Sequence, residues 1–226
     1  MPMMSAIEQA FCRSVPWRAF TRRVAFPWAF DTTPLQGAVL ELGTGSGANA
    51  VALLGRYPEI RLTATDVDPA MLAAARKRMG RFGDRVDVQE ADATALPFPD
   101  ASFDAVVSLI MLHHVIDWES ALGEAARVLR PGGMFAGYDL VVSRPARLLH
   151  RLDRSPHRLA TASELHGRLT ELAFTDIRVK HGLRGLVATF SARRPTLVGE
   201  RTDAKPDEGH ALSDGSVHEV QHENAS

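Results

Sequence analysis

The sequence predicts an α/β fold built on a doubly wound, mainly parallel sheet. Three observations carry this. Short apolar runs of strand length alternate with helical patterns from Ala38 to Leu140. A glycine-rich turn, Gly43-Thr44-Gly45-Ser46-Gly47, follows the first of those runs. Two last runs, Phe174 to His181 and Leu186 to Ala192, have only a short loop between them. The alternation calls for parallel strands joined by right-handed crossovers, with helices on both faces. The last two runs must form an antiparallel hairpin, because a parallel pair needs a long crossover.

Each element has its own signal. Ala38-Val39-Leu40-Glu41-Leu42 is a short apolar strand, and Asn49 to Arg56 reads as the helix after the turn. Arg61 to Thr65 is the second strand, ending at Asp66. Asp68-Pro69 is an N-cap with proline at the first helical position, opening a helix to about Met79. Val86 to Glu90 alternates as the third strand. Phe103 to Leu112 is apolar apart from Asp104 and Ser108, as expected of a strand buried on both faces. Asp117 caps a helix to Leu129, Arg130-Pro131-Gly132-Gly133 is a turn, and Met134 to Val142 is the fifth strand. Thr161-Ala162-Ser163-Glu164 is a capping box that opens a helix to about Ala173.

The flanks differ from this body. Ser5-Ala6-Ile7-Glu8 fits a capping box for a helix to about Ser14. The aromatic and basic stretch from Trp17 to Phe30 follows, punctuated by Pro16 and Pro27. Residues 1–34 are expected to form a helical segment that either packs its aromatics on the sheet or lies as a lid over the mouth of a site. Residues 35–198 form the main domain. Residues 199–226 carry Glu200, Asp203, Asp207, Glu208, Asp214, Glu219 and Glu223 against Arg201 and Lys205, with few large apolar groups. Such a segment cannot offset the entropy of ordering, so a disordered acidic tail is expected.

Composition narrows the function classes. The chain has 226 residues, 45% of them hydrophobic and 23% charged, as in an ordinary soluble domain. A net charge of −1 gives no reason to expect a nucleic-acid partner. The lone Cys12 cannot form an internal disulfide and favours a reducing compartment. No signal-peptide pattern is present, and no apolar run approaches the roughly 18 to 20 residues of a membrane span. A cytoplasmic location, as monomer or homodimer, is the expectation. No metal is expected: the nine histidines are scattered, three of them in the tail, no paired-Cys spacing occurs, and the one His-x-x-x-His spacing, His218 to His222, falls in that acidic tail.

The glycine turn alone indicates only a nucleoside cofactor behind a buried strand. Glycine permits a tight turn and close approach of a ligand, and a helix N-terminus behind it favours electron-rich groups. Gly43-x-Gly45-x-x-Ala48 also passes as a dinucleotide fingerprint. Asp66, about 20 residues on at the end of the second strand, suits the two ribose hydroxyls in either case. Asp92, after the third strand, adds a carboxylate suited to an adenine amino group. Glu41 stands two residues before Gly43, placed to organise the loop and an ammonium end. A pyrophosphate would be poorly served by acids at Glu41 and Asp92, whereas a sulfonium cofactor without phosphate suits them.

These stations together resemble the class I S-adenosylmethionine-dependent methyltransferases, in particular the ubiquinone-biosynthesis-like, type 11 family. The matching stretches are Val39-Leu40-Glu41-Leu42-Gly43-Thr44-Gly45-Ser46-Gly47, Ala64-Thr65-Asp66-Val67-Asp68-Pro69-Ala70-Met71-Leu72 and Ala91-Asp92-Ala93-Thr94-Ala95-Leu96-Pro97-Phe98. Phe103-Asp104-Ala105-Val106-Val107-Ser108, Leu112-His113-His114-Val115 and Arg127-Val128-Leu129-Arg130-Pro131-Gly132-Gly133 complete the set. The likeness covers about Ala38 to Leu140 well, and the final hairpin by pattern only. It implies a seven-stranded, Rossmann-like sheet with an antiparallel last strand. It also implies S-adenosylmethionine as cofactor, S-adenosylhomocysteine as product and a small-molecule acceptor. By the resemblance Leu42, Gly43, Thr44, Gly45 and Gly47 line the cofactor, beside Val67 and Met71. Asp66 holds the ribose, Asp92 with Ala93 meets the adenine, and the Leu109 backbone lies near the methionine portion.

Methyl transfer is an in-line displacement in which alignment of the acceptor is a large part of catalysis. A hydroxyl acceptor also gains from a base, and His113 and His114 are the candidates just past the fourth strand. Asp139, ending the neighbouring fifth strand, could orient His113 and stabilise its charged form. The plainer reading makes one histidine structural, or dispenses with a base. Arg144, Arg147, Arg151, Arg154 and Arg158 recur at helical spacing and form either a solvated face or a dock for an acidic acceptor. O-methylation of a sugar, polyketide or lipid intermediate leads. C-methylation of a quinone-like ring and a non-catalytic cofactor-binding protein are the alternatives, with an NAD-dependent reductase disfavoured by Glu41 and Asp92.

Overall fold

The structure is a computed structural model that describes residues 14–20, 23–24, 26–30, 34–143, 157–182 and 185–196. Two short helices come first, α1 (Val15–Phe20) and α2 (Phe26–Phe30). The body then runs β1 (Ala38–Leu42), α3 (Ala48–Arg56), β2 (Arg61–Asp66), α4 (Pro69–Met79), β3 (Val86–Glu90), β4 (Phe103–Leu109), α5 (Trp118–Val128), β5 (Leu129–Leu140), α6 (Ala162–Glu171), β6 (Thr175–Gly182) and β7 (Val187–Arg193). Short 3-10 turns occupy Gly80–Arg85 and Leu112–His114.

The seven strands lie in the order β3-β2-β1-β4-β5-β7-β6. Strands β1 to β5 pair in parallel, whereas β7 pairs antiparallel with both β5 and β6. The chain reverses its direction of winding between β1 and β4. In an open α/β sheet the ligand crevice forms at such a switch point, outside the carboxyl ends of the strands.

Two apolar layers close over the sheet. Leu40, Val106, Leu122, Phe135 and Phe190 belong to the layer on the α5 and α6 side. Val39, Val107, Leu53, Leu62 and Tyr138 belong to the layer on the α3 and α4 side. Phe26 and Phe30 of α2 join that second layer, their rings stacked with centroids 4.9 Å apart. Pro16 and Pro27 each sit at the second residue of a helix, where the missing N–H costs nothing.

The predicted caps are in place. Asp68 accepts from the N–H groups of Ala70 and Met71 ahead of Pro69, and Thr161 with Glu164 makes a reciprocal capping box. Two expected boundaries move. β4 ends at Leu109 rather than Leu112, because Ile110 turns into the left-handed region at φ 57°. β5 begins at Leu129, so the expected Arg130–Gly133 turn lies inside the strand range as an irregularity. Leu129 pairs with Phe103, and pairing resumes at Met134 with Ala105. The capping box at Ser5, Cys12, four of the arginines (Arg144, Arg147, Arg151, Arg154) and the acidic tail lie outside the described residues.

Candidate active site

β1 delivers Glu41 and the glycine loop to the carboxyl edge of the sheet. The three glycines there meet different neighbours. A Cβ at Gly43 would fall 2.0 Å from Met111 Cγ, so that glycine makes room for a protein side chain. A Cβ at Gly45 would meet nothing within 4 Å, leaving its face open to a ligand. A Cβ at Gly47 would come within 3.2 Å of Ala75 Cα, so this glycine seats α3 against α4. All three have positive φ, at 63°, 54° and 78°, which glycine adopts without strain.

The loop is held by side chains on either side. Thr44 Oγ1 donates to Glu41 Oε2 at 2.6 Å, and Thr44 N donates to the Thr65 carbonyl at 2.7 Å. Glu41 is buried, and its second oxygen, Oε1, has no hydrogen-bond partner. Burial pushes its carboxyl up to about 7, against the Thr44 hydrogen bond and with help from the Asp66 charge. Asp66 Oδ2 accepts from Gly45 N at 2.7 Å and Oδ1 from Asp68 N at 3.0 Å. Burial raises the Asp66 carboxyl above its ordinary value, and these backbone donors oppose the rise. Asp92 Oδ1 takes the backbone N–H and hydroxyl of Thr94 at 2.8 and 2.7 Å, closing a small turn after β3. Leu42, Met71, Ala93 and Leu109 are buried and Val67 half-buried. The four buried side chains belong to the core.

Sequence reasoning missed a buried polar group behind this loop. Tyr138 Oη donates to Asn49 Oδ1 at 3.1 Å, and Asn49 Nδ2 reaches the Leu109 carbonyl at 3.5 Å. Ile110 N donates to the Tyr138 carbonyl at 2.8 Å. These bonds hold the strained end of β4, where a β-branched residue takes a positive φ. Burial and the nearby Glu41 charge push the Tyr138 hydroxyl well above its ordinary value. The only sequence signal was a polar Asn49 in the first turn of a helix behind the glycines.

His113 sits in the 3-10 turn after β4 and is buried at 3% exposure. Its Nδ1 lies in a short hydrogen bond to Asp139 Oδ1. Asp139 also accepts from Met111 N at 3.0 Å, Leu112 N at 2.6 Å and Leu140 N at 2.6 Å. Burial raises the Asp139 carboxyl, but the facing His113, by charge and hydrogen bond, and the Leu140 amide outweigh it and hold it below its ordinary value. The carboxylate takes Nδ1–H as donor. His114 lies beside His113, ring centroids 4.0 Å apart and planes tilted by 41°. Met111 joins the two halves of the site: its N–H bonds Asp139 and its side chain rests on Gly43.

Arg158 departs from the expected arginine stripe. Its guanidinium is engaged with Glu119 at 2.6 and 2.5 Å, and so is committed within the chain rather than offered to an acidic acceptor. Among the described residues, no His, Cys, Asp and Glu group is arranged to hold a metal ion, and no helix is long and apolar enough to cross a membrane.

Comparison with known proteins adds relatives to this geometry. Residues 40–137 match the family described as "Methyltransferase domain". A demethylmenaquinone methyltransferase of Thermus thermophilus is 44% identical over 112 residues, covering 50% of this chain and 50% of its own. An O-methyltransferase of Penicillium expansum is 32% identical over 180 residues, covering 74% and 64%. The chain spans about half the length of the curated relatives it matches. Among solved structures, phosphoethanolamine N-methyltransferase 2 of Haemonchus contortus, in complex with S-adenosyl-L-methionine, superposes with a TM-score of 0.63. It is 17% identical, with 81% of this chain and 61% of that one covered, a likeness of fold.

Proposed function

We propose that the chain, whose residues 40–137 match the methyltransferase domain family, transfers a methyl group from S-adenosylmethionine to a small-molecule acceptor, a hydroxyl oxygen with His113 as base. The observation that carries this reading is the buried His113–Asp139 pair, joined through Met111 to the glycine loop.

The residues fit the cofactor. The orphaned Glu41 Oε1 is a buried acceptor waiting for a donor, which the ammonium end supplies. Gly45 leaves open space beside Asp66, where the ribose hydroxyls reach a carboxylate that is already oriented. Asp92, fixed by Thr94, would accept from the adenine amino group. Gly43, Thr44 and Gly47 shape the loop, and the backbones of Leu42, Val67, Met71, Ala93 and Leu109 line the rest. When bound, S-adenosylmethionine supplies an activated methyl group for in-line displacement.

The chain's own residues then do three things. The turn at 111–114 presents the acceptor side of the site. Asp139 fixes the His113 tautomer and stabilises the imidazolium formed when Nε2 takes the acceptor proton. Asn49 and Tyr138 hold the strained Leu109–Ile110 backbone in place beside the cofactor loop, with the Leu109 carbonyl accepting from Asn49. His114 is the second choice of base. A screen of phenols, sugars and hydroxylated lipids for release of S-adenosylhomocysteine tests the proposal. Turnover that survives His113→Ala and Asp139→Asn within a few-fold, with cofactor binding intact, would remove the base.

A second reading is C-methylation of a quinone-like ring. It is favoured by the 44% identity over 112 residues to a demethylmenaquinone methyltransferase. It needs less of His113, since Asp139 already has a structural task in holding the turn amides. A demethylated naphthoquinol in the same screen separates the two.

A further inference from the structure

His113 stands on a 3-10 turn of only three residues. So short a turn makes few bonds of its own and needs outside partners to fix its carbonyls. Asp139 holds the amide side, through Met111 N and Leu112 N. The carbonyl side is held by one residue from the far end of the segment after β5. Arg158 N donates to the His113 carbonyl at 2.8 Å. Its Nη1 donates to the Ile116 carbonyl at 3.0 Å. The guanidinium forks onto the Glu119 carboxylate and lies 5.5 Å above the centroid of the buried Trp118 ring.

Resting on the reading of His113 as base, we propose that Arg158 is a positioning residue for it, clamping the His113 turn to the start of α5 with Glu119 as its anchor. One side chain and one N–H grip residues 113, 116 and 119, so the turn is fixed at both ends and from both sides. The planar fork matters: a guanidinium reaches a carbonyl and a carboxylate together, and an ammonium is a single point charge. The ion pair itself is half exposed, at 46% and 32% for the two side chains, and exposed pairs add little to stability. Its purpose is therefore alignment. The anchoring face is remote in sequence from Glu41, Gly45 and Asp66.

The test uses the full chain with Arg158→Ala, Arg158→Lys and Glu119→Gln. Three readouts are needed: S-adenosylhomocysteine affinity by calorimetry, kcat with the acceptor from the screen, and water exchange of the His113 Nδ1 proton by NMR. Arg158→Ala should lower kcat by about 10- to 100-fold, the scale of an ångström misplacement. Its S-adenosylhomocysteine affinity should stay within about two-fold, and the Nδ1 proton should exchange several-fold faster as the turn loosens. Arg158→Lys should recover part of both losses, and Glu119→Gln should fall between. Unchanged proton exchange in Arg158→Ala overturns the clamp. So does a loss of cofactor affinity in step with kcat, which would mark a general structural role. If the wild type binds no S-adenosylhomocysteine, the functional reading fails, while the proton-exchange arm still judges the clamp.

Discussion

Glu41 concentrates the chemistry of this molecule in one side chain. It is buried, half-satisfied and pushed up to about 7. A carboxyl whose folded pKa exceeds its unfolded value binds more protons in the native state between the two. Its contribution to stability is thus full below about 4.5 and is lost as pH rises towards 7. At 1.36 kcal/mol per unit the loss is on the order of 3 kcal/mol. The ligand-free protein should melt at a lower temperature at pH 8 than at pH 5.5, and Glu41→Gln should flatten that dependence. A melting curve for the glutamine variant as pH-sensitive as the wild type would contradict this. Binding of a cation beside Glu41 should also release a proton below pH 7, visible as a buffer-dependent binding enthalpy. For the hydroxyl reading, His113→Ala should cost about 10²- to 10⁴-fold in kcat, with S-adenosylhomocysteine affinity little changed.

At the scale of elements, the glycine loop shows how one motif divides its tasks. Gly45→Ala meets open space and pays only for its positive φ, about 1 to 2 kcal/mol. It should fold and lose cofactor affinity. Gly43→Ala drives a methyl group into Met111 and should disturb the His113 turn as well. Near-ultraviolet circular dichroism and calorimetry on the two variants distinguish these outcomes, and equal loss of fold in both would refute the division. The helices and strands themselves were legible in the sequence, because period, caps and proline positions all agree locally, as at Asp68-Pro69 and Thr161 to Glu164. What escaped was decided by tertiary contacts. Ile110 reads as one more strand residue, yet its N–H is taken by the Tyr138 carbonyl and β4 stops short. Arg130 to Gly133 reads as a turn, yet the sheet absorbs it as an irregularity in β5. Arg158 reads as part of a stripe, and its partner Glu119 lies 39 residues away.

For the whole molecule, strand order makes the site. The reversal between β1 and β4 brings Glu41, the glycine loop, the His113 turn and Asp139 to one edge, though they span about a hundred residues of sequence. The carboxylates Glu41, Asp66 and Asp92 were visible from sequence because each lies at or just past the end of a strand at that edge. Asn49 and Tyr138 were not, since only the fold brings a helix start and a strand end within hydrogen-bond reach. The central claim is that this edge binds a sulfonium-derived nucleoside rather than a dinucleotide. Calorimetric titration of the full chain with S-adenosylhomocysteine and, separately, with NAD tests it most directly. Saturable one-to-one binding of S-adenosylhomocysteine, abolished in Asp66→Ala, with no heat from NAD is the predicted result; saturable binding of NAD with none of S-adenosylhomocysteine would contradict it.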